Sequence, residues 1–142
     1  MQSLKLSQAN KFEEIEHTAD WSYRVWGENL AELFMQAAAG LYRLAGIRLA
    51  DEPRVTRDIH LQAIDRESLL IAWLNELLYL HESERLGFDQ LEIVHLDETT
   101  LHARVIGAST QEWLKDIKAV TYHNLTIRET PSGLEVTLVL DV

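Results

Sequence analysis

The spacing of apolar positions changes several times along the chain, and each change marks an element. Phe12 to Glu16 is short and strand-like, and Ser22 to Gly27 alternates, with Tyr23, Val25 and Gly27 on one face and Arg24 and Trp26 on the other. These two runs read as strands joined through a turn at His17–Asp20. Asn29 then stands where a helix cap is needed, and Glu32 follows at capping-box spacing, placed to reach the Asn29 backbone amide. Leu30, Leu33, Phe34, Ala37, Leu41 and Leu44 recur at helical spacing up to Gly46, which suits a helix C-terminus. Arg54 to Ala63 returns to period two, with Ile59, Leu61 and Ala63 inward and Asp58, His60 and Gln62 outward. A second helix is predicted to begin near Asp65. Its stripe of Leu70, Trp73, Leu74 and Leu77 is widened by Leu78 and Leu80, so it is expected to be buried on more than one side.

The second half alternates almost throughout. Leu91/Ile93, Leu101/Ala103/Val105, Ile117 to Glu129 and Leu134/Val136/Leu138/Leu140 are predicted strands, with hairpin turns at Asp97-Glu98-Thr99 and at Thr130-Pro131-Ser132-Gly133. The pattern as a whole predicts an α/β fold of the α+β type. It is a single domain with a mixed, largely antiparallel sheet and two helices packed on one face. The domain is expected to span residues 12–142, after a flexible N-terminal segment, 1–11. With two prolines and six glycines, no linker or repeat divides the chain.

Composition narrows the chemistry. The 142 residues are enough for one sizeable core, and 23 acidic against 13 basic side chains give a formal charge of -10. Such a surface repels a phosphate backbone, so no direct, tight nucleic-acid binding is expected. Cysteine is absent, which removes disulfides, thiolate metal sites and cysteine nucleophiles and leaves oxygen and imidazole as metal donors. Met1 to Asn10 is polar and mixed, and no run approaches membrane-spanning length, so a cytoplasmic protein with no membrane partner is expected.

Three places concentrate polar chemistry. In His17-Thr18-Ala19-Asp20, an imidazole, a hydroxyl and a carboxylate leave a strand within four residues, although Thr and Asp are equally common in ordinary turns. At the chain end, alternation puts Val136, Leu138, Leu140 and Val142 on one face and Glu135, Thr137 and Asp141 on the other, so Asp141 points away from the core. Beside the Asp20 turn, Asp141 would complete an oxygen-rich site of the kind Ca²⁺ and Mg²⁺ choose. On a strand from Lys118 to Asn124, Lys118, Tyr122 and Asn124 share one face while Thr121 and His123 share the other. The six histidines show no close ligand pair on one helix turn, so zinc is not expected. Gly-rich phosphate loops, nucleophile elbows and base-stacking strand patterns are absent as well.

Five motifs in order carry a resemblance. Glu16-His17-Thr18-Ala19-Asp20 comes first, then Trp26-Gly27 before Asn29-Leu30 and the helix with Ala37-Ala38. Trp73-Leu74-Asn75-Glu76-Leu77-Leu78, Lys118-Ala119-Val120-Thr121-Tyr122-His123 and Leu140-Asp141-Val142 complete the set. Together they resemble the archease family from Phe12 to the C-terminus. The chain departs from the family pattern at Gly107 to Asp116, where a charged, Gly/Pro-containing loop is replaced by Ala108-Ser109-Thr110-Gln111-Glu112-Trp113.

The resemblance implies a non-catalytic accessory protein that activates an RtcB-type tRNA-splicing RNA ligase, promoting its GTP-dependent guanylylation and multiple turnover. It also implies a divalent cation, Ca²⁺ first and Mg²⁺ or Mn²⁺ next. Asp20 and Asp141 would be its side-chain ligands, and Val142 would supply a backbone or terminal oxygen. His17, Thr18, Lys118, Tyr122 and His123 would stand around the ion or contact the partner. Two other readings remain beside this one: a small metal-dependent phosphoester hydrolase using Asp20, Asp141 and His17, and a chaperone-like modulator of nucleic-acid-processing proteins.

Overall fold

The computed structural model describes residues 1–15 and 21–142. Its strands are β1 (Gln2–Lys5), β2 (Phe12–Ile15), β3 (Trp21–Gly27), β4 (Ile47–Leu49), β5 (Val55–Gln62), β6 (Leu86–Leu96), β7 (Thr100–Trp113), β8 (Ala119–Thr121), β9 (Arg128–Thr130) and β10 (Gly133–Asp141). The helices are α1 (Leu30–Ala45) and α2 (Arg66–Glu84). The α+β class and the two helices are as the periodicities predict, but the strands divide into two sheets. One runs β1-β6-β7, with β5 and β4 in succession along the far edge of β7; the other runs β2-β3-β10, with β8 and β9 along the far edge of β10. Every pairing among the described residues is antiparallel, in keeping with the largely antiparallel sheet expected, and none is parallel. Each helix touches both sheets: α1 packs on β2 and β3 and also on β1 and β6, while α2 packs on β5, β6 and β7 and also on β8. Both sheets and both helices contribute to one continuous core, from Tyr23 and Val136 to Phe88 and Val105. Period two reports which residues share a face but not which strands become neighbours, so the number of sheets was open to correction.

Local signals were more reliable at helix ends. The Asn29 Oδ1 accepts from the Glu32 amide at 2.9 Å, and Gly46 closes α1 in the left-handed region at φ 71°. The Glu32 carboxylate reaches the Glu28 amide at 2.8 Å, one residue earlier than the capping-box spacing predicts. Asp65 caps α2 through the Ser68 amide at 2.7 Å.

Residues 1–11, expected to be flexible, begin with β1, whose Leu4 lies opposite Leu91 of β6. The Arg43 guanidinium donates to the carbonyls of Leu6 and Ala9, and the Lys11 amide donates to the Gln36 side chain at 3.1 Å. The tie comes from α1 and β6, which the polar look of the segment does not reveal. The long strand expected over Ile117–Glu129 is corrected, because only β8 and β9 of that stretch belong to the sheet. Between them the chain turns at Asn124, φ 54°, and sinks Leu125 and Ile127 into the core. There the Ile127 amide donates to Glu67 at 3.0 Å and its carbonyl accepts from Arg66 at 3.0 Å, both on the first turn of α2. Alternating burial in an irregular segment had imitated a strand. Strand β7 is longer than expected and continues through Gly107–Trp113, where Trp113 meets the His81 ring in a stack 3.7 Å away.

Candidate functional site

Strand β10 brings the chain end to the middle of its sheet. Val136, Leu138 and Leu140 are buried, as alternation requires, and Asp141 is exposed at the strand's last position. On one side Leu140 lies opposite Trp21, the first residue of β3; on the other, Leu140 lies opposite Val120 and Asp141 opposite Ala119 of β8. His17, Thr18 and Asp20 lie outside the described residues. The residue immediately after Asp20 in the chain therefore pairs with the residue immediately before Asp141.

Lys118 belongs to the same end of the sheet. Its amide donates to the Asp141 carbonyl at 2.8 Å, and its side chain is exposed. Val142 comes next after Asp141 and is 58% exposed. Tyr122 and His123 sit past the other end of β8. Tyr122 is half exposed, and His123 lies in the turn with its Nε2 3.2 Å from the Asn124 side-chain amide. The expected sharing of a face by Lys118, Tyr122 and Asn124 does not occur, because β8 ends at Thr121 and the turn at Asn124 redirects the backbone. Of the five described residues that the sequence motifs point to, the fold gathers Lys118, Asp141 and Val142 and leaves Tyr122 and His123 a strand length away.

Lys118 also borders a depression of about 400 Å³ lined by Leu78, His81, Glu82, Arg85, Asp116 and Ile117. Burial, and secondly the Arg85 charge, hold the His81 imidazole below its ordinary pKa. Stacked on Trp113 and with the Thr110 hydroxyl 3.4 Å from Nδ1, the His81 ring is held in place as part of the wall.

Among the described residues, no three His, Asp or Glu side chains converge on a metal position. The donors at the end of β10 nevertheless suit a hard cation as part of a larger set. The Asp141 carboxylate is exposed and pairs with no described cationic side chain, and Val142 adds backbone oxygen.

One residue of the site belongs to a sequence motif that assigns it no role. Asn75 of α2 turns its side-chain amide onto the backbone of β8: Oδ1 accepts from the Val120 amide at 2.9 Å and Nδ2 donates to the Val120 carbonyl at 3.2 Å. It acts as one more strand residue on the open edge of β8, and so fixes the strand that leads out of Lys118 against β10. The polar pair Asn75-Glu76 inside an apolar helical run was the available signal. Replacing it by Leu leaves both backbone groups of Val120 without these partners and is expected to cost about 1–3 kcal/mol. Amide hydrogen exchange at Val120 should accelerate accordingly. Unchanged protection would show that Asn75 does not hold the strand.

Known proteins share both the sequence pattern and the fold. Residues 12–142 match the family profile described as "Archease protein family (MTH1598/TM1083)". The archease of Methanosarcina mazei is 32% identical over 148 aligned positions, covering 96% of this chain and 99% of that protein. The solution structure of Methanobacterium thermoautotrophicum protein 1598 superposes with a TM-score of 0.66 at 27% identity, covering 93% of this chain and 99% of that one. A Thermotoga maritima crystal structure, titled an archease and possible chaperone, shares the fold with a TM-score of 0.68 at 24% identity, over 92% of this chain and 96% of that one.

Proposed function

Because this chain belongs to the archease family, we propose that it is an accessory protein that activates an RtcB-type tRNA-splicing RNA ligase. It promotes the ligase's GTP-dependent guanylylation and multiple turnover, and the ligase itself forms the bond. The observation that supports this most is the pairing of Trp21, which follows Asp20 in the sequence, with Leu140, which precedes Asp141. With Val142, those carboxylates form the oxygen set for a divalent cation, Ca²⁺ first and Mg²⁺ or Mn²⁺ next. The cation supplies fixed positive charge on an acidic surface. Lys118 holds the Asp141 backbone in place and offers its ammonium to the partner. His17 and Thr18 stand next to Asp20 in sequence and are assigned to the same site on that ground, and Tyr122 and His123 extend the contact surface beyond the far end of β8. The site of action is cytoplasmic, beside the ligase; no helix among the described residues is long and apolar enough to cross a membrane. The net charge of -10 favours a protein partner over direct, tight binding of RNA.

Multiple-turnover ligation with a purified RtcB-type ligase tests this reading. The protein is expected to raise guanylylation and turnover, and Asp20→Ala and Asp141→Ala are each expected to remove at least about tenfold of that stimulation, the loss typical of a disrupted metal site. Equal turnover with the protein, without it and with Asp20→Ala would overturn the proposal. Calcium calorimetry on the same variants addresses the ligands directly, since equal affinity in Asp141→Ala would remove Asp141 from the set.

A further inference from the structure

His60, His95 and His102 are far apart in sequence, and strand register alone brings them together. His60 lies directly opposite His102 across β5 and β7, and His95 lies directly opposite His102 across β6 and β7. Residues directly opposite in an antiparallel pair project from the same face. Three imidazoles therefore occupy one rung of three adjacent strands, on the face away from the core, and together they line a depression of about 390 Å³ with Gln62 and Thr100.

The third imidazole joins the row through an irregularity. The β6 register shifts by one residue between Ile93 and His95, which leaves Val94 as the extra, exposed residue. Without this bulge, alternation would set Val94 opposite His102 and turn His95 toward the core. Bulges that re-aim a side chain in this way are a recognised device beside functional sites.

Two of the rings are also oriented by carboxylates. His102 Nε2 lies 3.0 Å from Asp58 Oδ1, and His95 Nε2 lies 3.1 Å from Asp97 Oδ2. Asp97 is held in turn, because its Oδ1 accepts from the Thr99 amide at 2.9 Å and the Thr100 amide at 2.8 Å. Asp58 also faces the Arg104 guanidinium at 3.5 Å, which balances its charge. A histidine that binds a metal characteristically gives one ring N–H to a carboxylate and keeps its other nitrogen for the ion. Here Nδ1 of His95 and Nδ1 of His102 remain for that purpose. The His60 ring stacks on His102 with centroids 4.1 Å apart.

We infer that His60, His95 and His102 form a surface site for a divalent transition metal ion, with Zn²⁺ as the reference ion and Asp58 and Asp97 as orienting carboxylates. Imidazole donors select zinc, copper and nickel over calcium and magnesium, so this site differs in chemistry as well as in place from the oxygen set at the end of β10. Strands spaced about 4.8 Å apart put the outer two backbones about 10 Å apart, a span that inward-reaching imidazoles bridge. The rings do not converge as they stand. His60 and His95 are exposed, however, and exposed side chains change rotamer within nanoseconds, so the ion draws His60 out of its stack. Three histidines leave a coordination position open to water or to a donor from another molecule.

The test uses the full chain without a polyhistidine tag, stripped by chelation and titrated calorimetrically with ZnCl₂ and separately with CaCl₂. One Zn²⁺ per chain is expected. Each of His60→Gln, His95→Gln and His102→Gln should weaken it at least about tenfold and Asp58→Asn about tenfold, while Asp141→Ala leaves the zinc affinity unchanged. Zinc should also shift the ring-proton resonances of these three histidines, which calcium does not do. Absence of saturable zinc binding in the wild type would overturn the proposal. So would equal zinc affinity in the triple Gln variant, which would put the ion elsewhere; circular dichroism checks that the variant is folded.

Discussion

Trp73→Ala is expected to lower folding stability by about 3–5 kcal/mol, the range for emptying a large aromatic site in a close-packed core. Trp73 is completely buried in α2, and its Nε1 donates to the Phe34 carbonyl of α1 at 2.9 Å, so the ring fills the core and joins the two helices. Truncation removes the apolar contact and opens a cavity bordered by elements that pack on both sheets and cannot collapse together freely. Domains of ordinary size are stable by only about 5–15 kcal/mol, so the loss is a large fraction of the total. Urea denaturation followed by circular dichroism measures it. A change below about 1.5 kcal/mol, no more than a tolerated hydrophobic swap, would show that Trp73 is not the central strut.

Gly107→Ala should do comparable damage by adding a single methyl group. A Cβ at Gly107 would lie 1.8 Å from the Gly87 carbonyl oxygen and 2.6 Å from the Phe88 Cα. Both obstacles are backbone, so no side-chain rotation relieves the overlap and β6 must move away from β7. The contact lies where the β6 register shifts between Phe88 and Gln90, and Gly107 also pairs with Val55 of β5. Displacement on one side of β7 therefore strains the other. The cost is expected at or above the upper end of the range of about 1–3 kcal/mol for overpacking, with a melting temperature lower by several degrees. Gly40→Ala makes an informative contrast, since its added methyl meets the Tyr23 and Phe12 rings rather than backbone. A melting temperature for Gly107→Ala equal to wild type would mean that the strands part there without cost.

These two residues show different degrees of legibility. Trp73 stands out in the sequence because its burial comes from a helical stripe, a property of its own few turns. Gly107 does not, because what makes it glycine is the approach of Gly87, which sequence spacing does not report.

The same division runs through the candidate site. Alternation along β10 sufficed to put Asp141 on the outer face, and Asn29 and Asp65 announced the helix starts, because capping and side-chain direction are settled within a few residues of backbone. The ordered motifs from His17 to Val142 were enough to point to the family. Tertiary structure alone decided that the strands form two sheets, that β1 is tied along β6, and that Leu140 faces Trp21. It also decided that Asn75 holds β8 and that a bulge at Val94 completes a row of histidines. Each of these depends on which distant segment becomes the neighbour. That choice is made by packing and backbone pairing across the core, for which a period of two carries no address.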